Sequence, residues 1–429
     1  MTRNRVGKSI VGSAQLSSSE LRVTNWRVVW TWYGVIASIA AIFCWLLYRG
    51  VRYHDEEVYL QLATSVLSGA FEIDGVPTAY RPPAWPILLA ISSGVGPEWV
   101  NLTVPFLLLI ASGACAAVIG ARVAGTWGAL AAMTAVMLFP TNIYTATTLY
   151  PQTLAMALVL FCWMIIASWD ENVESFSRPF IGLLLGSAAA LLALAVPTLA
   201  PTALALLLLG VVTRWADREF YTILYAVVGF ILPIAVWATR NMYVFNKFVP
   251  LSTSSGINLL YGNHPNAGPN TGVAVDISVE RTQAAVENLD EIQRNEFFGS
   301  RAEEWIKSNP AEAGKLYLGK VFNYFVPVSD PVTSGESPSQ ILLIVMSGIF
   351  VILAVLVAAR IFMLKKLSML RSEIVMIALF FANAPFMAIF FTRSRFRQPL
   401  DSILLVEAAV GLVLSIYVIS RTARSKSKL

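Results

Sequence analysis

The stretch VVWTWYGVIASIAAIFCWLLYRGVRYHDEE, residues 28–57, places an apolar run directly before a charged one. Residues 28–48 carry no charge, and a helix rising 1.5 Å per residue over about 20 apolar residues crosses a hydrocarbon core of about 30 Å. The character then changes abruptly: Arg49 and Arg52 are followed by Asp55, Glu56 and Glu57 in a row. Comparable apolar runs recur at roughly 99–121, 126–143, 150–168, 179–196, 198–213, 219–238, 340–359, 373–391 and 402–419, so about ten spans are predicted. Of 429 residues, 56% are hydrophobic and only 13% charged, against about 25% charged in a soluble domain. A soluble enzyme is excluded. The expected fold is all-α and polytopic, about ten transmembrane helices with juxtamembrane helices and one helical loop on the outer face.

Charge gives the orientation. With the N-terminus in the cytoplasm, Arg3, Arg5, Lys8, Arg22, Arg27, Arg122, Arg178, Arg214, Arg218, the 360–371 cluster and the basic C-terminal residues share one side. Both termini are then expected in the cytoplasm of a cell whose plasma membrane the chain spans. The predicted organisation is a disordered cytoplasmic tail at 1–27 and a transmembrane module at 28–239, whose outer loop is 49–98. An outer-face region at 240–339, transmembrane helices at 340–420 and a cytoplasmic tail at 421–429 complete it. The first apolar run is too long for a signal-peptide core and no small-residue cleavage site follows it, so it is expected to remain. Residues 85–91 are too short to cross and are expected to lie along the interface as an amphipathic helix. In the outer region helical periodicity runs over 282–308, and Asn309-Pro310-Ala311-Glu312 is a start signal for a second helix. The net charge of +5 is accounted for by topology, and no basic run interleaved with aromatics points to nucleic acid. Cys44, Cys115 and Cys162 lie in apolar runs and two histidines are too few for a cysteine-histidine zinc site.

Three stretches could carry chemistry. Tyr53-His54-Asp55-Glu56-Glu57 puts three carboxylates beside the outer membrane surface. They are equally an acidic first turn of a helix, or with His54 a metal site. Pro77-Thr78-Ala79-Tyr80-Arg81-Pro82-Pro83-Ala84-Trp85-Pro86 holds Tyr80 and Arg81 on a proline-stiffened frame, suited to an anionic group or to anchoring at headgroup level. Thr392-Arg393-Ser394-Arg395-Phe396-Arg397 sets arginines on the outer side against the charge rule. Arginine suits bidentate phosphate recognition, though ordinary anionic lipids would also account for it. Arg240 could join that cationic site, and Glu407 is a carboxylate within the last apolar run.

These motifs resemble the C-superfamily membrane glycosyltransferases, the group related to protein O-mannosyltransferases and lipid A aminoarabinose transferases. In that family the first outer loop opens with Asp-Glu followed by Tyr-Leu, matched by Asp55-Glu56 and Tyr59-Leu60. Bacterial members then show a Thr-Ala-Tyr-Arg-Pro-Pro run, matched by residues 78–83. Similar motifs are Trp237 with Arg240-Asn241, Pro250-Leu251-Ser252-Thr253, Gly262-Asn263-His264-Pro265 and Arg395-Phe396-Arg397 with Pro399, so the likeness runs from about residue 30 to 419. The resemblance implies transfer of one sugar from a polyprenyl-phosphate donor to a glycan, lipid or protein hydroxyl on the outer face, inverting the anomeric carbon. It implies Asp55 as general base with Glu56 beside it, and Arg81, Arg240, Arg395 and Arg397 on the donor phosphate. Tyr59, Tyr80, Asn263 and His264 would contact substrate. No cofactor is assigned, and the outer carboxylates permit a divalent metal without requiring one. Residue 152 is glutamine in Tyr150-Pro151-Gln152, where many relatives carry an acid, so that acid's role does not transfer. A polysaccharide polymerase or ligase using a lipid diphosphate, and a lipid-linked saccharide transporter or flippase, are the competing classes.

Overall fold

The computed structural model describes residues 23–92, 97–169, 178–216, 218–328, 340–363, 367 and 369–426. The predicted tail at 1–27 lies mostly outside these residues. α1 (Trp26–Leu47) starts at Asn25, whose side chain accepts the Val28 N–H. α2 (His54–Leu67) opens with Asp55, Glu56 and Glu57 in its first turn, complementing the helix dipole. It gives way at Gly69, which has φ of +83°. A two-residue hairpin follows, β1 (Glu72–Ile73) against β2 (Val76–Pro77). Its turn places Asp74 and Gly75 both at positive φ, the geometry that Asp-Gly favours.

α3 (Ala84–Ser92) buries Trp85 and Leu89 fully on one face and leaves Ile87 and Ile91 exposed on the other. The Trp85 indole N–H donates to the Leu149 carbonyl at 2.7 Å, so the polar atom of the buried face has an interior partner. α4 (Pro97–Leu138) folds back on itself at Ala124 and Gly125, where the backbone leaves helical geometry. Its arms press backbone to backbone, because a Cβ on Gly120 would lie 2.3 Å from the Gly128 carbonyl oxygen. α5 (Pro140–Thr145) extends the second arm. α6 (Gln152–Trp169) is buried along most of its length. α7 (Arg178–Ala195), a 3-10 turn at Pro197–Leu199, α8 (Ala200–Ala216) and α9 (Phe220–Phe245) follow.

α10 (Ser255–Gly262), α11 (Ser278–Val286), α12 (Glu291–Ser308) and α13 (Pro310–Asn323) make a small region with its own core of Ile257, Leu260, Tyr261, Phe298, Ala302 and Phe391. The helix expected over 282–308 is broken. Asn288 takes φ of 50°, and Asp290 starts α12 with a reciprocal capping box to Gln293. Asn309 precedes α13 as expected, but its side chain makes no cap bond and donates instead to the Trp305 carbonyl.

α14 (Gln340–Phe362), α15 (Arg371–Ile389) and α16 (Ser394–Lys426) close the chain. The last helix begins at Ser394, earlier than the span expected at 402, and takes Arg395 and Arg397 into its opening turns. Among the described residues nine helices are long and apolar enough to cross a membrane, and the fold-back in α4 turns one of them into two antiparallel arms. This is a helical, multi-pass membrane protein.

Close backbone contact between α7 and α9 yields a test. A Cβ on Gly186 would lie 1.9 Å from the Ala226 carbonyl oxygen, so Gly186→Ala must push the helices apart and should cost about 1–3 kcal/mol. Gly348→Ala, with nothing within 4 Å of the new carbon, should stay within about 0.5 kcal/mol. Thermal unfolding in detergent compares the two, and equal midpoints would contradict the packing.

Candidate active site

Asp55 in the first turn of α2 meets two arginines from distant parts of the chain. Arg81, from the loop before α3, bonds its Oδ1. Arg395, from the first turn of α16, lies 3.4 Å from its Oδ2. Aromatic rings wall the cluster. The Arg81 guanidinium lies 5.4 Å from the Tyr59 ring centroid and 5.2 Å from that of Tyr80. Arg395 lies 5.1 Å from Tyr150 and 5.0 Å from Phe396. The three charged side chains remain reachable, Asp55 at 25%, Arg81 at 22% and Arg395 at 36% exposure. Both Nε atoms are buried without a hydrogen-bond partner among the described residues. Burial raises the pKa of the Tyr59, Tyr80 and Tyr150 phenols, which keeps them neutral hydrogen-bonding groups. Burial acts against the Arg81 cation, but Tyr59 and Asp55 beside it outweigh that and raise its pKa.

Other charges build the frame. Glu56 is 1% exposed; it accepts the N–H groups of Arg52 at 2.7 Å, Tyr53 at 3.1 Å and Leu149 at 2.8 Å. It caps α2 and ties down the segment that carries Tyr150. This corrects the expectation that Glu56 shares the chemistry, since its carboxylate is closed in by peptide groups. Glu291 accepts the Thr78 hydroxyl at 2.6 Å, the Ala79 N–H at 2.8 Å and the Thr253 hydroxyl at 2.5 Å. It clamps the loop that presents Tyr80 and Arg81.

Arg240 and Arg397 were expected on an anion and are placed elsewhere. Arg240 donates at 2.8 Å to the carbonyls of Thr78 and Phe71 and lies 5.1 Å from the Trp237 ring centroid. Arg397 is 1% exposed; it bonds Asp401 at 2.7 Å, the Val326 carbonyl at 3.0 Å and the Tyr324 carbonyl. The reason is geometric. Residues two apart on a helix point to nearly opposite sides, so α16 aims Arg395 at Asp55 and Arg397 into the core.

Asn263 and His264 also stand apart from Asp55. The Asn263 amide donates to the Leu259 and Ile389 carbonyls and accepts from Lys320 at 3.2 Å. Lys320 also donates to the carbonyls of Gly262 and Phe390, both at 2.8 Å. Burial pulls its ammonium down to about 8, still charged at neutral pH. His264 pairs with Glu280. His54 lies against Glu57, so the acidic stretch does not converge on one ion. Among the described residues no group of three or more His, Cys, Asp or Glu could hold a metal.

Tyr150, Glu291 and Lys320 escaped sequence reasoning. The three-residue run Leu149-Tyr150-Pro151 could have drawn attention to Tyr150. Glu291 and Lys320 carry no local signal, because their partners are distant main-chain groups.

No family model matches the chain, and no curated protein does. Among solved structures it is similar to the archaeal oligosaccharyltransferase AglB from Archaeoglobus fulgidus, in complex with an inhibitory peptide and a dolichol-phosphate, with a TM-score of 0.49 and 11% identity over 93% of this chain and 52% of that one. It is also similar to ArnT from Cupriavidus metallidurans bound to undecaprenyl phosphate, with a TM-score of 0.43 and 12% identity over 89% of this chain and 78% of that one. The chain spans about half the length of the oligosaccharyltransferase. At these scores the likeness says nothing of the reaction.

The two neighbouring arginines of α16 should behave differently. Arg397→Ala strands Asp401 and two carbonyls in the interior and should cost about 3–5 kcal/mol of stability. Arg395→Ala removes a half-exposed pair and should cost under about 1 kcal/mol. Unfolding midpoints of the two variants decide it, and equal losses would contradict the assignment of Arg397 to the core.

Proposed function

We propose that the protein is an inverting glycosyltransferase that moves one sugar from a polyprenyl-phosphate donor to an acceptor hydroxyl on the outer face of the plasma membrane. The observation that carries this reading is the Asp55 carboxylate held between Arg81 and Arg395, all three side chains partly exposed. A glycosidase needs a second carboxyl group to protonate an alkoxide leaving group. A phosphate leaves without that proton if its growing charge is met by a cation, so one carboxylate and a guanidinium facing the phosphate suffice.

The acceptor oxygen attacks the anomeric carbon from the face opposite the phosphate. Its proton passes to a carboxylate oxygen of Asp55. The bond from carbon to phosphate oxygen breaks with its electron pair going to that oxygen, releasing polyprenyl phosphate. Charge matches at both ends of the step. The two arginines and Asp55 carry one net positive charge, opposite to the single negative charge of a sugar phosphodiester. After transfer the phosphate monoester can carry a second negative charge, and Asp55, now protonated, has given up its own. Arg395, with the longer contact to Asp55 and the greater exposure, is the guanidinium that turns to the donor phosphate. Arg81 holds Asp55 in position.

Tyr59, Tyr80 and Tyr150 line the sugar, and Glu56, Arg240, Glu291 and Arg397 serve as its framework. Residues 28–239 form the catalytic module, completed by Arg395 from α16, with both termini in the cytoplasm. The orientation rests on the one-sided arginines and lysines of the short loops.

Release of polyprenyl phosphate from a panel of polyprenyl-phosphate sugars, with a cell-envelope extract as acceptor, tests this reading. Asp55→Asn should lower turnover by about 10²–10⁴-fold while donor still binds. Arg395→Ala should weaken donor binding and rate together. Undiminished turnover by folded Asp55→Asn protein would sink the base assignment.

A further inference from the structure

A second cavity shares no lining residue with the Asp55 cluster. It measures about 320 Å³ and opens between the turn after α10, α11 and the C-terminal half of α12. That is the small end of the range for ligand pockets, room for one sugar ring. We infer that this cavity is a carbohydrate subsite that takes a neutral saccharide unit.

Its lining has the chemistry that a sugar requires. Trp305 gives an aromatic wall, while His264, Glu280, Glu304, Ser308 and Asn309 give polar groups on the remaining sides. Flat apolar faces of sugar rings lie on aromatic rings, and their hydroxyls pair with planar acceptors and donors held in place. Several of these groups are fixed before a ligand arrives. The His264 Nδ1 accepts the Asn266 N–H at 3.2 Å, which turns the Nε2 edge of the ring to Glu280 at 3.3 Å. Asn309 donates its amide N–H to the Trp305 carbonyl, leaving its oxygen as an acceptor. Ala302 and Phe298, buried on the same helix as Trp305, seat that helix on the small core.

Charge narrows the class. Two carboxylates, Glu280 and Glu304, face one guanidinium, Arg301, which pairs with Glu304 at 3.3 Å, so the wall has a surplus of one carboxylate. It disfavours uronates and phosphorylated sugars, in contrast to the cationic cluster at Asp55. Use of the cavity as an acceptor subsite rests on the transfer reading; saccharide binding does not.

The full chain in lipid nanodiscs, probed by saturation-transfer NMR with the methyl glycosides of glucose, mannose, galactose, arabinose and glucuronic acid, tests the inference. At least one neutral glycoside should bind at least tenfold more tightly than the glucuronide. Trp305→Ala should weaken that binding at least tenfold, Trp305→Phe should keep most of it, and Glu304→Gln should narrow the discrimination against the glucuronide. Absence of any Trp305-dependent binding in protein with a wild-type unfolding profile would overturn the subsite, as would equal binding of the glucuronide. Polyprenyl phosphate release is measured separately. Saccharide binding without any donor turnover would count against the transfer reading and leave the subsite standing.

Discussion

Peptide groups in the segments that join the helices must find partners in the interior, and buried charged side chains supply many of them. An unpaired amide or carbonyl away from water costs several kcal/mol in the least forgiving surroundings. Glu56 takes three backbone N–H groups, and Lys320 and Arg397 each take two carbonyls. Arg240 takes two more, and Glu291 pairs with one N–H and two hydroxyls. These bonds tie residues 52–53 to Leu149, the 78–79 turn to Phe71 and Thr253, and Gly262 to Phe390. Asp55, Arg81 and Arg395 are different. They pair with each other at an open edge, and a pairing of that kind can be exchanged for a ligand.

That contrast separates framework from chemistry more sharply than residue type does. Sequence reasoning put Arg81, Arg240, Arg395 and Arg397 in one class because all are expected on the outer side of the spans. Only Arg81 and Arg395 have an ionic partner at the Asp55 cluster. The others are bound to carbonyls distant in the chain, as Arg240 is to Thr78 and Arg397 to Val326. No local pattern announces such partners. The spans were legible because an apolar run of membrane length is a local property. Asp55 and the Tyr80-Arg81 turn were legible because charge at the end of a span and prolines in a row are local too.

Other misses follow from the same distinction. The break between α11 and α12 is set by Asp290 and Gln293 capping each other, which helical periodicity ignores. The early start of α16 hides Arg395 and Arg397 in what reads as a polar loop, and their opposite directions become apparent only once that loop is a helix. Asp74-Gly75 was a readable hairpin turn, overlooked between two longer helical signals. On α3 the buried face of Ala84, Trp85, Leu89 and Ala90 is a local pattern, whereas the Leu149 carbonyl that takes the Trp85 indole N–H is distant in the chain.

The central claim is that Asp55, Arg81 and Arg395 form the site for a lipid phosphate and its sugar. A structure of the protein with polyprenyl phosphate bound in a lipid nanodisc tests it most directly. The account predicts phosphate oxygens within hydrogen-bond distance of the Arg395 guanidinium, with its contact to Asp55 broken and Arg81 still on the carboxylate. Phosphate bound elsewhere, with both pairs to Asp55 intact, would contradict it.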